Sequence, residues 1–87
     1  MATHVIDGAE VTDEELALAR RYSMLVNWDP EFNIYVVSFP GLPGIRAYGK
    51  TVSEAAQHGE EVIVIYVTAH IDADLPLPEP VALEQIA

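Results

Sequence analysis

Phe39-Pro40-Gly41-Leu42-Pro43-Gly44-Ile45-Arg46-Ala47-Tyr48-Gly49-Lys50-Thr51-Val52-Ser53-Glu54-Ala55-Ala56 decides the fold. A strand ends at Phe39, because Pro40 has no N–H to give to a ladder. Two Pro-Gly pairs then form a rigid turn. Residues 45–48 are long enough for a short strand that stops at Gly49. Thr51 and Glu54 have capping-box spacing and open a helix. The stretch holds no nucleophile elbow. Its glycines match neither common phosphate-binding fingerprint, and no lysine follows at the required place. It is architectural, and it favours a binding role over a catalytic one.

Upstream of this stretch, Ile34 to Phe39 is rich in β-branched and aromatic residues and reads as a strand. Tyr22 to Trp28 alternates, with Tyr22, Met24, Val26 and Trp28 on one face and Ser23, Leu25 and Asn27 on the other. Asp29-Pro30-Glu31-Phe32-Asn33 is the turn between them, so the two strands form an antiparallel hairpin. Thr12 and Glu15 repeat the capping-box spacing, and Asp13-Glu14-Glu15 suit a helix N-terminus. A short helix over about 13–21 follows, with Arg20 and Arg21 at its negative end. Residues 1–11 are weakly structured by sequence, with Val5-Ile6 a short edge strand closed by Gly8.

Downstream, Val52, Ala55, Ala56, Gly59, Val62, Ile63, Tyr66, Val67 and His70 keep one helical stripe. A helix over about 52–71 is expected. The run Val62 to Val67 is also β-branched enough for a buried strand, with Gly59 as a breaker, but the stripe holds its phase across Gly59. In the helical reading Val64 and Ile65 fall off the stripe and mark an oligomer interface. Asp74-Leu75-Pro76-Leu77-Pro78-Glu79-Pro80 excludes helix and favours an extended segment. The fold class is α+β: a small antiparallel sheet of about three strands, a long helix and a short N-terminal helix. Residues 1–80 are read as one domain with its core in 22–80, and 81–87 as a tail.

The chain has 87 residues and a net charge of −10, from 14 acids against 4 bases. Seven acids between Glu54 and Glu84 face no lysine or arginine in residues 52–87. Such a surface is repelled by phosphate backbones, so direct nucleic-acid binding is not expected, and a basic protein is the natural complement. Solubility is the plainer reading of the same charge. A chain this short is marginal alone, and the 51% hydrophobic content suits a homodimer or homotetramer. With no cysteine, disulfides and thiolate chemistry are excluded. The absence of a secretory pattern and of any long apolar run gives a cytoplasmic reading with no membrane contact.

Other chemistry is thin. Asp29 with Glu31, and Asp72 with Asp74, have ordinary loop roles. A metal-dependent nuclease would need such acids to converge on divalent ions. His58 and His70 are about 120° apart around a helix and share no ligand face. Glu54 and His58 have the spacing of a surface pair. His70 suits the negative end of the helix dipole. Trp28, Phe32, Tyr35 and Tyr48 lie on or beside the sheet with few basic neighbours, which favours core packing or protein contact over base stacking. No cofactor or metal is expected.

Taken together, Tyr22 to Trp28, Ile34 to Gly44, Gly49 to Ala56 and Leu75 to Pro80 resemble the HicB-like antitoxins of bacterial toxin–antitoxin pairs. The resemblance covers about residues 22–80 and rests on the order and spacing of structural motifs. It implies a partial RNase H-like fold. It also implies a function, holding a small basic RNA-cleaving toxin inactive by covering its RNA-facing surface. The contact residues expected are Trp28, Asp29, Glu31 and Phe32, at the turn and strand end. Two departures stand out. Gly41 occupies a position where the family usually carries Asp. Members usually continue into a further strand and a DNA-binding module, and a short form without that module is expected here. Residues 3–7 are one candidate for the remaining strand. The alternatives are a small RNase H-like metal-dependent nuclease, or a structural or ligand-binding oligomer without a toxin.

Overall fold

The computed structural model describes residues 3–6 and 9–81. Two antiparallel strands, β1 (Thr3–Ile6) and β2 (Ala9–Thr12), precede a short helix, α1 (Asp13–Ala19). A three-stranded antiparallel sheet follows, β3 (Leu25–Asp29), β4 (Ile34–Ser38) and β5 (Arg46–Gly49), with β4 in the middle. The long helix α2 (Val52–Asp72) lies across it, and residues 75–81 are irregular. The α+β reading, the three-stranded sheet and both helices stand.

The connection from β4 to β5 is two type II turns in tandem. The Leu42 N–H donates to the Phe39 carbonyl at 3.0 Å, and the Ile45 N–H to the Leu42 carbonyl at 3.2 Å. Each turn has proline at its second position and glycine at its third, with φ of 83° at Gly41 and 93° at Gly44. Phe39 and Leu42 are thereby turned into the core.

α2 packs closely because of two glycines. A Cβ on Gly59 would lie 2.8 Å from the Met24 sulfur and 2.9 Å from Val37 Cγ1. One on Gly49 would strike the backbone of Ala55, 2.6 Å from its Cα. The Gly59 that threatened to break the helix is instead what brings the helix down onto β4. Val62 to Val67 is helical, so the strand alternative is overturned. Burial of Ile63, Val64 and Val67 against the sheet outweighs the modest helix penalty of β-branched residues.

Several local expectations need correction. α1 ends at Ala19 rather than residue 21, and Arg20 caps it. The Arg21 and Tyr22 N–H groups bond back three residues, to Leu18 and Ala19. This tighter turn rolls Tyr22 into the core, where it is 7% exposed, and β3 starts only at Leu25. The Thr12 box is reciprocal, at 3.0 and 3.1 Å. At α2, Thr51 caps the Glu54 N–H, but Glu54 accepts from the Lys50 N–H instead of closing the box. Thr3–Ile6 pairs with β2, so these residues do not extend the three-stranded sheet. Val64 is 1% exposed, which overturns its expected place outside the core, while Ile65 is 45% exposed. The stripe is wider than drawn, because both α1 and the sheet pack on α2. The expected turn end at Gly8 and the tail beyond Val81 lie outside the described residues.

Candidate protein-binding surface

Strand pleating divides the sheet into two faces. Val26, Val37 and Ala47 are cross-strand partners, and Val37 lies against α2 at Gly59. Trp28, Tyr35 and Gly49 form the next row on that same side. The opposite side carries Leu25, Ser38 and Arg46 in one row, Asn27, Val36 and Tyr48 in a second, and Asp29 with Ile34 in a third. Neither helix covers it. An antiparallel sheet that faces water normally shows polar residues there. Here half of the eight positions are apolar.

The hairpin tip is built by Asp29. Its Oδ1 accepts from the Glu31 N–H at 2.9 Å and the Phe32 N–H at 3.4 Å, and Asn33 sits in the left-handed region at φ 51°. The carboxylate thus holds the turn that lifts Phe32 out to 71% exposure. Phe32, Ile34, Val36 and Tyr48 line a shallow groove of about 520 Å³, with Asp29 and Arg46 also on its wall.

The four residues expected to touch a partner therefore do not share one face. Asp29 and Phe32 meet in the groove on the uncovered side. Trp28 points to the helix side, packs edge-on against Tyr35 at 4.9 Å and is 48% exposed. Glu31 lies in the turn between them and is exposed. Sequence reasoning missed Ile34, Val36 and Arg46 as surface residues, and left Tyr48 between core packing and protein contact. The i, i+2 spacing within 34–36 and 46–48 was the available signal, since it puts each pair on one face.

The remaining candidates have structural occupations. His58 is not paired with Glu54; its Nδ1 donates to the Tyr48 carbonyl at 2.6 Å and ties α2 to β5. His70 packs on Tyr66 with ring centroids 4.1 Å apart and bonds the Tyr66 carbonyl at 2.9 Å. Among the described residues no group of three or more His, Asp or Glu side chains is placed to hold a metal ion. Among them, too, no helix is long and apolar enough to cross a membrane.

A family model described as the HicB-like antitoxin of bacterial toxin–antitoxin systems matches residues 22–87. No curated protein and no solved structure shows significant similarity to the chain.

Proposed function

The chain belongs to the HicB-like antitoxin family, and from that premise we propose that it neutralises a small basic RNA-cleaving toxin by covering the toxin's RNA-facing surface. The family gives the antitoxin role; the mechanism is our reading. The observation that carries it is the hairpin tip, where two exposed aromatic rings, Trp28 and Phe32, flank the carboxylates of Asp29 and Glu31.

A surface that binds RNA offers arginine and lysine side chains to phosphates. Carboxylates can take the same cations, and an aromatic face attracts them further. The net charge of −10 steers such a partner toward the chain and speeds encounter. Inhibition then needs no covalent step and no metal. Occupying the cationic face is enough to keep RNA away.

The test needs the cognate toxin, to be sought as a small basic protein encoded by a neighbouring reading frame. Its cleavage of RNA should stop when the chain is added in equimolar amount. Trp28→Ala combined with Glu31→Lys should weaken that inhibition at least tenfold while the variant still unfolds in one cooperative thermal transition. Undiminished cleavage at saturating chain, or full inhibition by the double variant, would overturn the reading.

A further inference from the structure

We infer that the uncovered sheet face is the seat of a second copy of this chain, in a two-fold sandwich that pairs Arg46 of each copy with Asp29 of the other. This goes beyond toxin capture and does not rest on it, but the sandwich covers Asp29 and Phe32 of the hairpin tip, so dimer and toxin complex compete for them.

Three observations carry the inference. First, the face is apolar at its centre, with Val36 and Tyr48 in the middle row and Ile34 and Leu25 beside them. Tyr48 is 50% exposed and Leu25 43%, so the face is not satisfied within one chain. Second, Arg46 and Asp29 stand at opposite corners. Arg46 is on the outer strand β5 in the row of Leu25, and Asp29 is on the outer strand β3 four residues further along. Third, Arg46 makes no ion pair among the described residues, and Asp29 spends only Oδ1 on its turn.

The corner placement makes the face self-complementary. A two-fold axis lying in the interface, perpendicular to the line from Arg46 to Asp29, brings each arginine over the other copy's aspartate. Both pairs form at once, as an isologous contact requires. Strands lie about 4.8 Å apart and rise about 3.4 Å per residue, so the line runs about 10 Å across the sheet and about 14 Å along it. The strands of the two sheets then cross at about 70°, within the near-orthogonal class of sheet packing.

Charge selects this occupant. The chain has only 4 lysines and arginines against 14 acids, so two copies repel unless a base meets an acid between them. This face carries one of those four bases, diagonally opposed to an acid across apolar surface. A basic partner would instead meet Arg46 as a like charge. Trp28 and Glu31 lie outside the groove, whereas Asp29 and Phe32 line it, so of the four tip residues the sandwich covers two.

Light scattering on the purified full chain tests the inference. A dimeric mass is expected at micromolar concentration. Arg46→Glu should shift it to monomer, because each of the two contacts then sets an acid against an acid. Asp29→Lys should do the same, by setting base against base. An equimolar mixture of the two variants should restore the dimer. The carboxylate introduced by Arg46→Glu in one copy then faces the ammonium introduced by Asp29→Lys in the other, while the native pair re-forms at the opposite corner. Should Asp29→Lys fail to fold for want of its turn, Val36→Glu replaces it and must also give monomer. Ile65→Glu, on the exposed side of α2, should leave the dimer intact. A monomeric wild type overturns the inference. So does a dimer that survives Arg46→Glu, or one that is lost with Ile65→Glu.

Discussion

The Tyr22 hydroxyl donates to the Pro78 carbonyl at 2.5 Å, joining residues 56 positions apart. This bond fastens the proline-rich segment to the turn that follows α1. Leu77 packs on the core beside it. Further along, Val81 lies against Gly41, where a Cβ would come within 2.9 Å of Val81 Cγ2. The segment is thus held at three points, although it forms no regular structure. Tyr22→Phe should cost about 1 kcal/mol at pH 7, the worth of one hydrogen bond. Urea denaturation measures the loss, and cleavage near Leu75 by a protease should become faster.

The same hydroxyl sets a pH dependence. Burial raises its pKa above the ordinary 10.0; Arg21 opposes the shift, while Tyr66 and Glu79 add to it. The folded protein therefore holds the phenolic proton more tightly than the unfolded chain does. The stability this contributes is complete below about pH 10 and is lost as pH rises through the folded value. A stability profile carried above pH 10 should fall more steeply for the wild type than for Tyr22→Phe.

Gly59→Ala should destabilise the fold despite favouring helix. Alanine gains about 1 kcal/mol of helix propensity over glycine. The added methyl meets the Met24 sulfur at 2.8 Å and Val37 Cγ1 at 2.9 Å. Met24 can swing away, but Val37 is fully buried and stiff. Overpacking of about 1–3 kcal/mol wins, for a net loss of about 1 kcal/mol. A rise in thermal midpoint would contradict this.

The two helix starts should respond differently to loss of their glutamates. Thr12→Ala and Thr51→Ala should each cost about 1 kcal/mol. Glu15→Ala removes a partly buried bond to the Thr12 N–H and should cost about as much. Glu54→Ala removes an exposed bond to the Lys50 N–H, which water replaces, so its cost should stay below about 0.5 kcal/mol. Parallel denaturant titrations of the four variants give the ranking.

Neighbouring residues on α2 should separate sharply. Val64 is in the core, so Val64→Ala should cost about 2 kcal/mol in lost burial and cavity formation. Ile65 faces outward, and Ile65→Ser should change stability by less than about 0.5 kcal/mol. Equal effects at the two positions would contradict the packing of α2.

What the sequence determined by itself is local. Prolines 40 and 43, glycines 41 and 44 and threonines 12 and 51 fix turns and helix starts through geometry that a few consecutive residues complete among themselves. The β-branched and aromatic run in 34–39 and the stripe from Ala55 to Val67 mark a strand and a helix, because strand propensity and helical period are read over a few consecutive residues. The β1–β2 hairpin was illegible beyond a fragment, since residues 1–11 carry little strand alternation. Tertiary structure decided the rest. Only the packing of α2 against the sheet and α1 together puts Val64 inside and leaves Ile65 out. Only the register of three strands sends Trp28 to the helix side and gathers Asp29, Phe32 and Tyr48 on the bare one. A strand's two faces look alike in sequence until a helix covers one of them. That choice is made by contacts between residues far apart in the chain, above all Gly59 on Val37.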